Sequence, residues 1–210
     1  VTYGLVALSY LLGATPTSYW IGRVFHGLDL RKHGSGNLGA TNVFRCLGPK
    51  WALPVVVIDV AKGFVPVWFF ANLVDGDLSW MLAFGAGAVV GHVFSLWVGF
   101  KGGKGIATSA GVFLALAPWA VVGALVVWLV LVRFTGYVSL GSIAGAATLP
   151  VFVTLTAQRG DTTLFWFTVT LALFVIWAHR SNIQRLLKGT EVRFRRAGVP
   201  APTDPAEQSQ

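Results

Sequence analysis

The sequence predicts an all-α, polytopic integral membrane protein, and three observations carry that prediction. Of 210 residues, 55% are hydrophobic and 11% charged, under half of the roughly one quarter charged residues usual in soluble domains. The mean hydropathy is +0.68. The apolar residues gather into runs close to the ~20 residues that cross a bilayer as a helix. A soluble globular domain and a disordered chain are both excluded on these grounds.

Six apolar runs follow one another: Val1–Trp20, Trp51–Val74, Leu78–Val98, Ile106–Val132, Val138–Thr156 and Thr163–Ala178. The first has no basic segment before it and is too long for a signal-peptide core, so it is expected to act as an uncleaved first span. The fourth is about 27 residues long and holds Pro118, which breaks or kinks a helix. Splitting it there gives seven spans; five spans with a re-entrant late segment is the alternative.

Charge sets the expected orientation. The net charge is +8, and the basic residues lie between and after the apolar runs, so topology explains them better than nucleic-acid binding does. Arg23–Lys50 carries Arg23, Arg31, Lys32, Arg45 and Lys50 against Asp29. Phe100–Lys104 carries Lys101 and Lys104. The segment after Ala178 carries Arg180, Arg185, Lys188, Arg193, Arg195 and Arg196, whereas Asp75–Asp77 is acidic. The positive-inside rule places the basic segments in the cytoplasm and the N-terminus outside. Only an odd number of spans then leaves the C-terminus cytoplasmic. Arg133–Tyr137 faces the cytoplasm and Arg159–Asp161 the outside. The polar, glycine-rich segments therefore meet at one membrane face. Residues 1–198 are expected to form a single transmembrane catalytic domain and 199–210 a disordered tail.

Three segments at that face have the chemistry of anion cradles. Gly34–Arg45 reads GSGNLGATNVFR. It matches the dinucleotide fingerprint formally, but that fingerprint needs a strand before it, and here the flanks are spans. What remains is a loop of small polar donors: Ser35, Gly36, Asn37, Thr41 and Asn42, closed by Arg45. Glycines let backbone N–H groups converge on an anion. Gly99–Thr108 reads GFKGGKGIAT. It is one residue short of a Walker loop and has Gly105 where Ser or Thr is required. Lys101 and Lys104, the amides of Gly102, Gly103 and Gly105, and a helix starting just after them still suit a phosphate. His179–Glu191 begins where the last run leaves the membrane; His179 and Asn182 share a helix face.

Other residues are read more modestly. Asp59 and Lys62 lie within the second run, where charges are expected to pair; they are read as an ion pair that props the cytoplasmic loops. Ser139 and Ser142 could donate to a bound anion. His92 is read as a core hydrogen-bonder. The single cysteine, Cys46, excludes an internal disulfide. No metal-ligand cluster, cofactor motif or nucleophile elbow is present, so neither a metal nor a cofactor is expected.

Taken together, GSGNLGATNVFR, GHVFSLWVGFKGGKGIAT and HRSNIQRLLKGTE resemble the three motifs of the acyl-phosphate-dependent glycerol-3-phosphate acyltransferases of bacterial membranes, the PlsY family. The motifs are ungapped, in the family's order, and the resemblance covers essentially the whole chain. Ser95 departs from it, standing where the family usually has Pro; Leu38 lies at a position the family varies. The resemblance implies a seven-span fold in the bacterial cytoplasmic membrane with its active site at the cytoplasmic face. It implies transfer of a fatty acyl group from acyl phosphate to the 1-hydroxyl of glycerol 3-phosphate, yielding lysophosphatidic acid and phosphate. Ser35 and Arg45 would be needed for activity, with Arg45 on a phosphate. Lys104 and the Gly102–Gly105 backbone would hold a substrate phosphate, His179 and Asn182 would contact glycerol 3-phosphate, and Glu191 would brace the tail. Partners would be the two substrates and the bilayer, with functional coupling to an acyl-phosphate synthase and the next acyltransferase.

An organic-phosphate transporter is the alternative that basic loops and a multi-span body allow, but it predicts inverted repeats, and the two halves show none. A different lipid acyltransferase would carry H-x-x-x-x-D, and His26, His33, His92 and His179 all lack Asp five residues on.

Overall fold

The structure, a computed structural model, describes residues 1–156 and 161–194. The expected disordered tail, 199–210, lies outside the described residues, as do Arg159, Arg195, Arg196 and the last four residues of the expected domain 1–198. Helices and their connections make up the described residues, with no strand among them.

The first run does not form one helix. α1 (Thr2–Ala14) ends at Thr15, whose ψ of 112° is the extended conformation imposed by the following Pro16. The short α2 (Thr17–Trp20) then runs into a π-turn over Ile21–Phe25. After the first polar loop come α3 (Ala40–Leu47) and α4 (Pro49–Ala71). α5 (Leu78–Val93) stops short of Val98: Phe94 breaks it and Leu96–Val98 is a separate 3-10 turn. Ser95, the departure from the usual Pro, keeps that break, because its backbone is extended and its buried hydroxyl donates to the Ala14 carbonyl.

The long fourth run is split as its proline suggested. α6 (Ile106–Leu116) ends at Ala117 and α7 (Pro118–Thr135) starts on Pro118, whose missing N–H does no harm in a first helical turn. α8 (Val138–Thr156), α9 (Thr162–Ala178) and α10 (Arg180–Leu187) complete the described helices, the last two meeting at 59°. Among the described residues, four segments are long and apolar enough to cross a membrane: α4, Leu78–Val98, α7 and α8. Bent α9–α10 makes a fifth. α1 and α6 are shorter.

The helices pack α1 on α5, α4 on α6, α7 on α8 and α8 on α9. Small residues set the closest approaches, as they do where lipid supplies no hydrophobic drive between helices. A Cβ on Gly63 of α4 would strike the Thr108 carbonyl of α6, and one on Gly111 of α6 would strike the Val60 carbonyl of α4. Gly13 and Gly91 play the same part between α1 and α5, against Ala88 and Tyr10. The central core holds Val67, Val89, Val112, Phe113 and Leu171. A second cluster, with Leu30, Leu38, Val43, Val55 and Val98, fixes the first loop to α4. Of α7's side chains only Ala120 is fully buried; one face of the helix packs on α8 and the other, with Trp119, Val122, Leu125, Val126 and Leu129, is exposed.

The reciprocal glycines generate a prediction. Gly111→Ala forces α4 and α6 apart and costs about 1–3 kcal/mol, read as a lower Tm in detergent. Gly4→Ala, at a site with open space around it, leaves Tm unchanged.

Candidate functional site

Helix ends far apart in sequence converge on one carboxylate. Glu191 is buried; its Oε1 accepts from Ser139 Oγ at 2.8 Å and Asn182 Nδ2 at 2.7 Å, and its Oε2 from Arg185 Nε at 2.7 Å. Burial pushes this carboxyl up, but the three donors outweigh it and hold Glu191 below its ordinary range. Asn182, so fixed, turns its Oδ1 to the Lys104 ammonium. Arg45, on α3, donates through Nη2 to the Val192 carbonyl at 3.2 Å, while its buried Nε has no hydrogen-bond partner among the described residues.

Three cations, Arg45, Lys104 and Arg185, thus surround one carboxylate and feel one another electrostatically. The surplus of positive charge shows on the group best able to lose its proton. Burial first, then Arg185 and Arg45, push the Lys104 ammonium down to about 8, against the pull of Glu191. A dianionic phosphate is the ligand whose charge balances that surplus.

His179 joins the group between α9 and α10. Its Nδ1 lies 2.8 Å from the Val175 carbonyl. A carbonyl can only accept, so Nδ1 carries the proton and Nε2 keeps its lone pair. Burial holds this imidazole down to about 4, so it is neutral at neutral pH.

The glycine loop is tied down from below. Gly102 N–H donates to the Val93 carbonyl at 3.0 Å and Gly103 N–H to the His92 carbonyl at 3.1 Å. Those two amides, expected to face an anion, are therefore committed to the end of α5. The next two, of Lys104 and Gly105, meet no acceptor among the described residues. Gly105 has φ +84° and is the N-cap of α6; glycine tolerates that angle, which turns the chain from loop into helix.

The first motif divides. Asn42, expected on an anion, is buried and spends its amide on the loop: Oδ1 accepts from Ser35 N–H at 2.7 Å, and Nδ2 donates to the Leu30 and His33 carbonyls, each at 3.1 Å. A saturated amide shapes the loop and has no donor left for a ligand. Asp29, clamped by Arg31 at 2.7 Å and held below the usual carboxylate range by that hydrogen bond, pins the start of the same loop. Ser35, Gly36 and Lys101 are exposed, and Asn37 and Thr41 half-buried. No hydrogen bond or ion pair ties these five to the Glu191 group among the described residues. Ser139 gives its proton to Glu191, whereas Ser142 Oγ accepts from Trp128 Nε1 at 3.2 Å and keeps its own. Inside the helices, Lys62 Nζ lies 2.6 Å from Asp59 Oδ1 and donates to the Thr15 carbonyl at 2.5 Å.

Several contributors are invisible to motif reading. Arg185 stands in a basic run and reads as one more topological charge. The strap after α10 is carried by Phe194, stacked on Phe44 at 4.5 Å and bonded through its N–H to the Gly136 carbonyl at 2.6 Å. Arg193 reaches the Tyr137 hydroxyl at 3.2 Å. These pairs are non-local, and no spacing rule signals them.

Fold and site define a multi-pass membrane protein with a cluster of cations where its helix ends meet. The glycerol-3-phosphate acyltransferase family model matches residues 3–189, and the chain belongs to that family. It is 45% identical over 192 residues to the glycerol-3-phosphate acyltransferase of Fusobacterium nucleatum, covering 90% of this chain and 96% of that protein. It is 44% identical over 191 residues to that of Geobacter sulfurreducens, covering 91% and 96%. Among solved structures it resembles PlsY, an integral membrane glycerol 3-phosphate acyltransferase. The TM-score to its glycerol 3-phosphate form is 0.86, at 36% identity, covering 92% of this chain and 96% of that one. To its lysophosphatidic acid form the TM-score is 0.84, at 35% identity, covering 92% and 95%.

Crowded cations set the titration of Lys104. Its charge is present at pH 7 and is lost as pH rises through about 8. A bound anion favours the ammonium, so inorganic phosphate should move the midpoint of Lys104 amine labelling upward. Arg185→Gln, which removes one like charge, should also move it upward without any ligand.

Proposed function

We propose that this protein transfers a fatty acyl group from acyl phosphate to the 1-hydroxyl of sn-glycerol 3-phosphate, releasing 1-acylglycerol 3-phosphate and phosphate. The observation that carries the reading is the gathering of Arg45, Lys104 and Arg185 around Glu191, with charge to spare for a phosphate dianion. Family membership and the likeness to PlsY support it.

The chemistry asks for positioning more than for a nucleophile. Acyl phosphate is already activated, because phosphate is a good leaving group. The glycerol hydroxyl attacks the acyl carbonyl, a tetrahedral oxyanion forms, and its collapse breaks the bond to phosphate. The hydroxyl proton leaves with the phosphate, which becomes hydrogenphosphate. No acyl-enzyme is formed. Arg45, with its free Nε, and Lys104 hold substrate phosphate together with the N–H groups of Lys104 and Gly105. His179 Nε2 accepts a hydrogen bond from the attacking hydroxyl and aims it. Asn182 orients Lys104, and Glu191 fixes Asn182 and Arg185. Ser35, Gly36, Asn37, Thr41 and Lys101 close over the substrates, and Ser142 donates its free proton to the second phosphate. Asn42 and Ser139 hold the loop and Glu191 respectively, and Asp59 with Lys62 supports the site from within the membrane. The acyl chain lies among the apolar helices, and no metal or cofactor takes part.

Purified protein should therefore convert glycerol 3-phosphate with palmitoyl phosphate and not with palmitoyl-CoA. Lys104→Ala and His179→Ala should each lower kcat/KM at least about 100-fold, as loss of a charged or aiming contact does, while the protein stays folded. A trapped acyl-protein would refute direct attack. Glycerol 3-phosphate flux into liposomes without product would favour a transporter instead.

We further propose seven spans, with α1, α6 and α9 crossing alongside the four longest, the N-terminus outside and the cation cluster facing the cytoplasm of a bacterial inner membrane. Residues 1–198 then act as one catalytic domain, coupled through its substrates to the enzymes that make acyl phosphate and add the second acyl chain. In a Cys46→Ser background, Thr190→Cys should be labelled by a membrane-impermeant maleimide in inverted vesicles only, and Gly76→Cys in spheroplasts only. The reverse pattern would overturn the orientation.

A further inference from the structure

The glycine loop that presents Lys104 has no side chains of its own to pack, so something beneath must fix it. Its hydrogen bonds to the Val93 and His92 carbonyls tie its backbone to the end of α5. The His92 side chain fills the remaining place. His92 is buried, and its Nε2 occupies the position a Cβ on Gly103 would take. On the ring's other edge Nδ1 faces Asp59 Oδ1 at 3.9 Å. Asp59 is held in turn by Lys62 at 2.6 Å and by Thr17 Oγ1 at 3.3 Å. A cavity of about 10 Å³ lies among Thr17, Leu38, Asp59, Lys62, His92 and Gly103, the size of a single water, with polar groups of Thr17, Asp59, Lys62 and His92 in its lining.

We propose that His92, oriented by Asp59, is a positioning residue: its imidazole edge sets the height of Gly103, and so the place of the Lys104 ammonium and of the N–H groups that follow it. The inference rests on the proposed acyl transfer and adds to it a line of support running from α1 through the ion pair of α4 and His92 of α5 to the phosphate site. Were the buried charges only a clamp between helices, altering them would change Tm and leave substrate affinity alone. Were His92 only a core filler, its effect would not depend on the residue at 103.

A double-mutant cycle decides between these. Gly103→Ala places a methyl on the imidazole edge. His92→Asn keeps a nitrogen towards Asp59 and removes that edge. KM for glycerol 3-phosphate, kcat and the Kd of inorganic phosphate are measured on the four purified full-length proteins. Gly103→Ala should raise KM and phosphate Kd at least about tenfold with a smaller change in kcat. His92→Asn should raise them about threefold to tenfold. The double variant should bind better than Gly103→Ala alone, because the added methyl then has room, a coupling expected only of residues in contact. Effects that multiply in the double variant, or a shift in Tm with KM and Kd unchanged, overturn the proposal. If the wild type binds phosphate without transferring acyl groups, the proposed activity fails, yet the cycle in phosphate Kd still decides the role of His92. If the wild type binds no phosphate, both fail.

Discussion

The site depends on one buried carboxylate accepting three donors. Glu191 gathers Ser139 from the start of α8 and Asn182 and Arg185 from α10, and through Asn182 it reaches Lys104 at the start of α6. Without it, Arg45, Lys104 and Arg185 would face one another with no anion between them. A buried ion pair is weak evidence for stability, because desolvation offsets the attraction. What it supplies here is registry: one donor comes from the start of α8 and two from α10, so satisfying all three fixes those helices against each other.

That arrangement is possible because the helices beneath it approach closely. Gly63 and Gly111 let α4 and α6 touch backbone to backbone, and Gly13 and Gly91 do so for α1 and α5. The breaks matter as much as the helices. α1 stops at Thr15, whose carbonyl is then free to accept from Lys62. α5 stops at Val93, leaving the His92 and Val93 carbonyls to hold Gly103 and Gly102. The orphan carbonyls of a helix end thus become the mooring of the phosphate loop.

Much of this was legible in the sequence, for identifiable reasons. Composition and run length give a helical membrane protein, and Pro118 marks the split between α6 and α7 because proline works locally. Pro16 carried the same local signal, but it lies inside a run that hydropathy reads as continuous, and its break went unread. The motifs name Arg45, Lys104, His179, Asn182 and Glu191, which the structure assembles. They also name Asn42, Gly102 and Gly103, whose polar groups prove to be committed to the loops. Residue type tells that a group can donate, and only geometry tells to what. Phe194 carries no local signal, since its partners Phe44 and Gly136 are distant in sequence, and Arg185 is hidden among basic residues whose charge topology already explains.

Charge placement separates two tasks that composition confuses. Arg23, Lys32, Lys50 and Lys188 are exposed and keep their solvation. Arg45 and Lys104 are half-buried and lose solvation that water would otherwise supply. Burying a cation is unfavourable unless something repays the desolvation, and Glu191 cannot do so for three. The protein therefore holds this cluster in a state that an incoming phosphate stabilises, and binding strengthens as solvent leaves. Under the proposed reaction both substrates enter as phosphate dianions, the charge that three cations around a single carboxylate leave unbalanced.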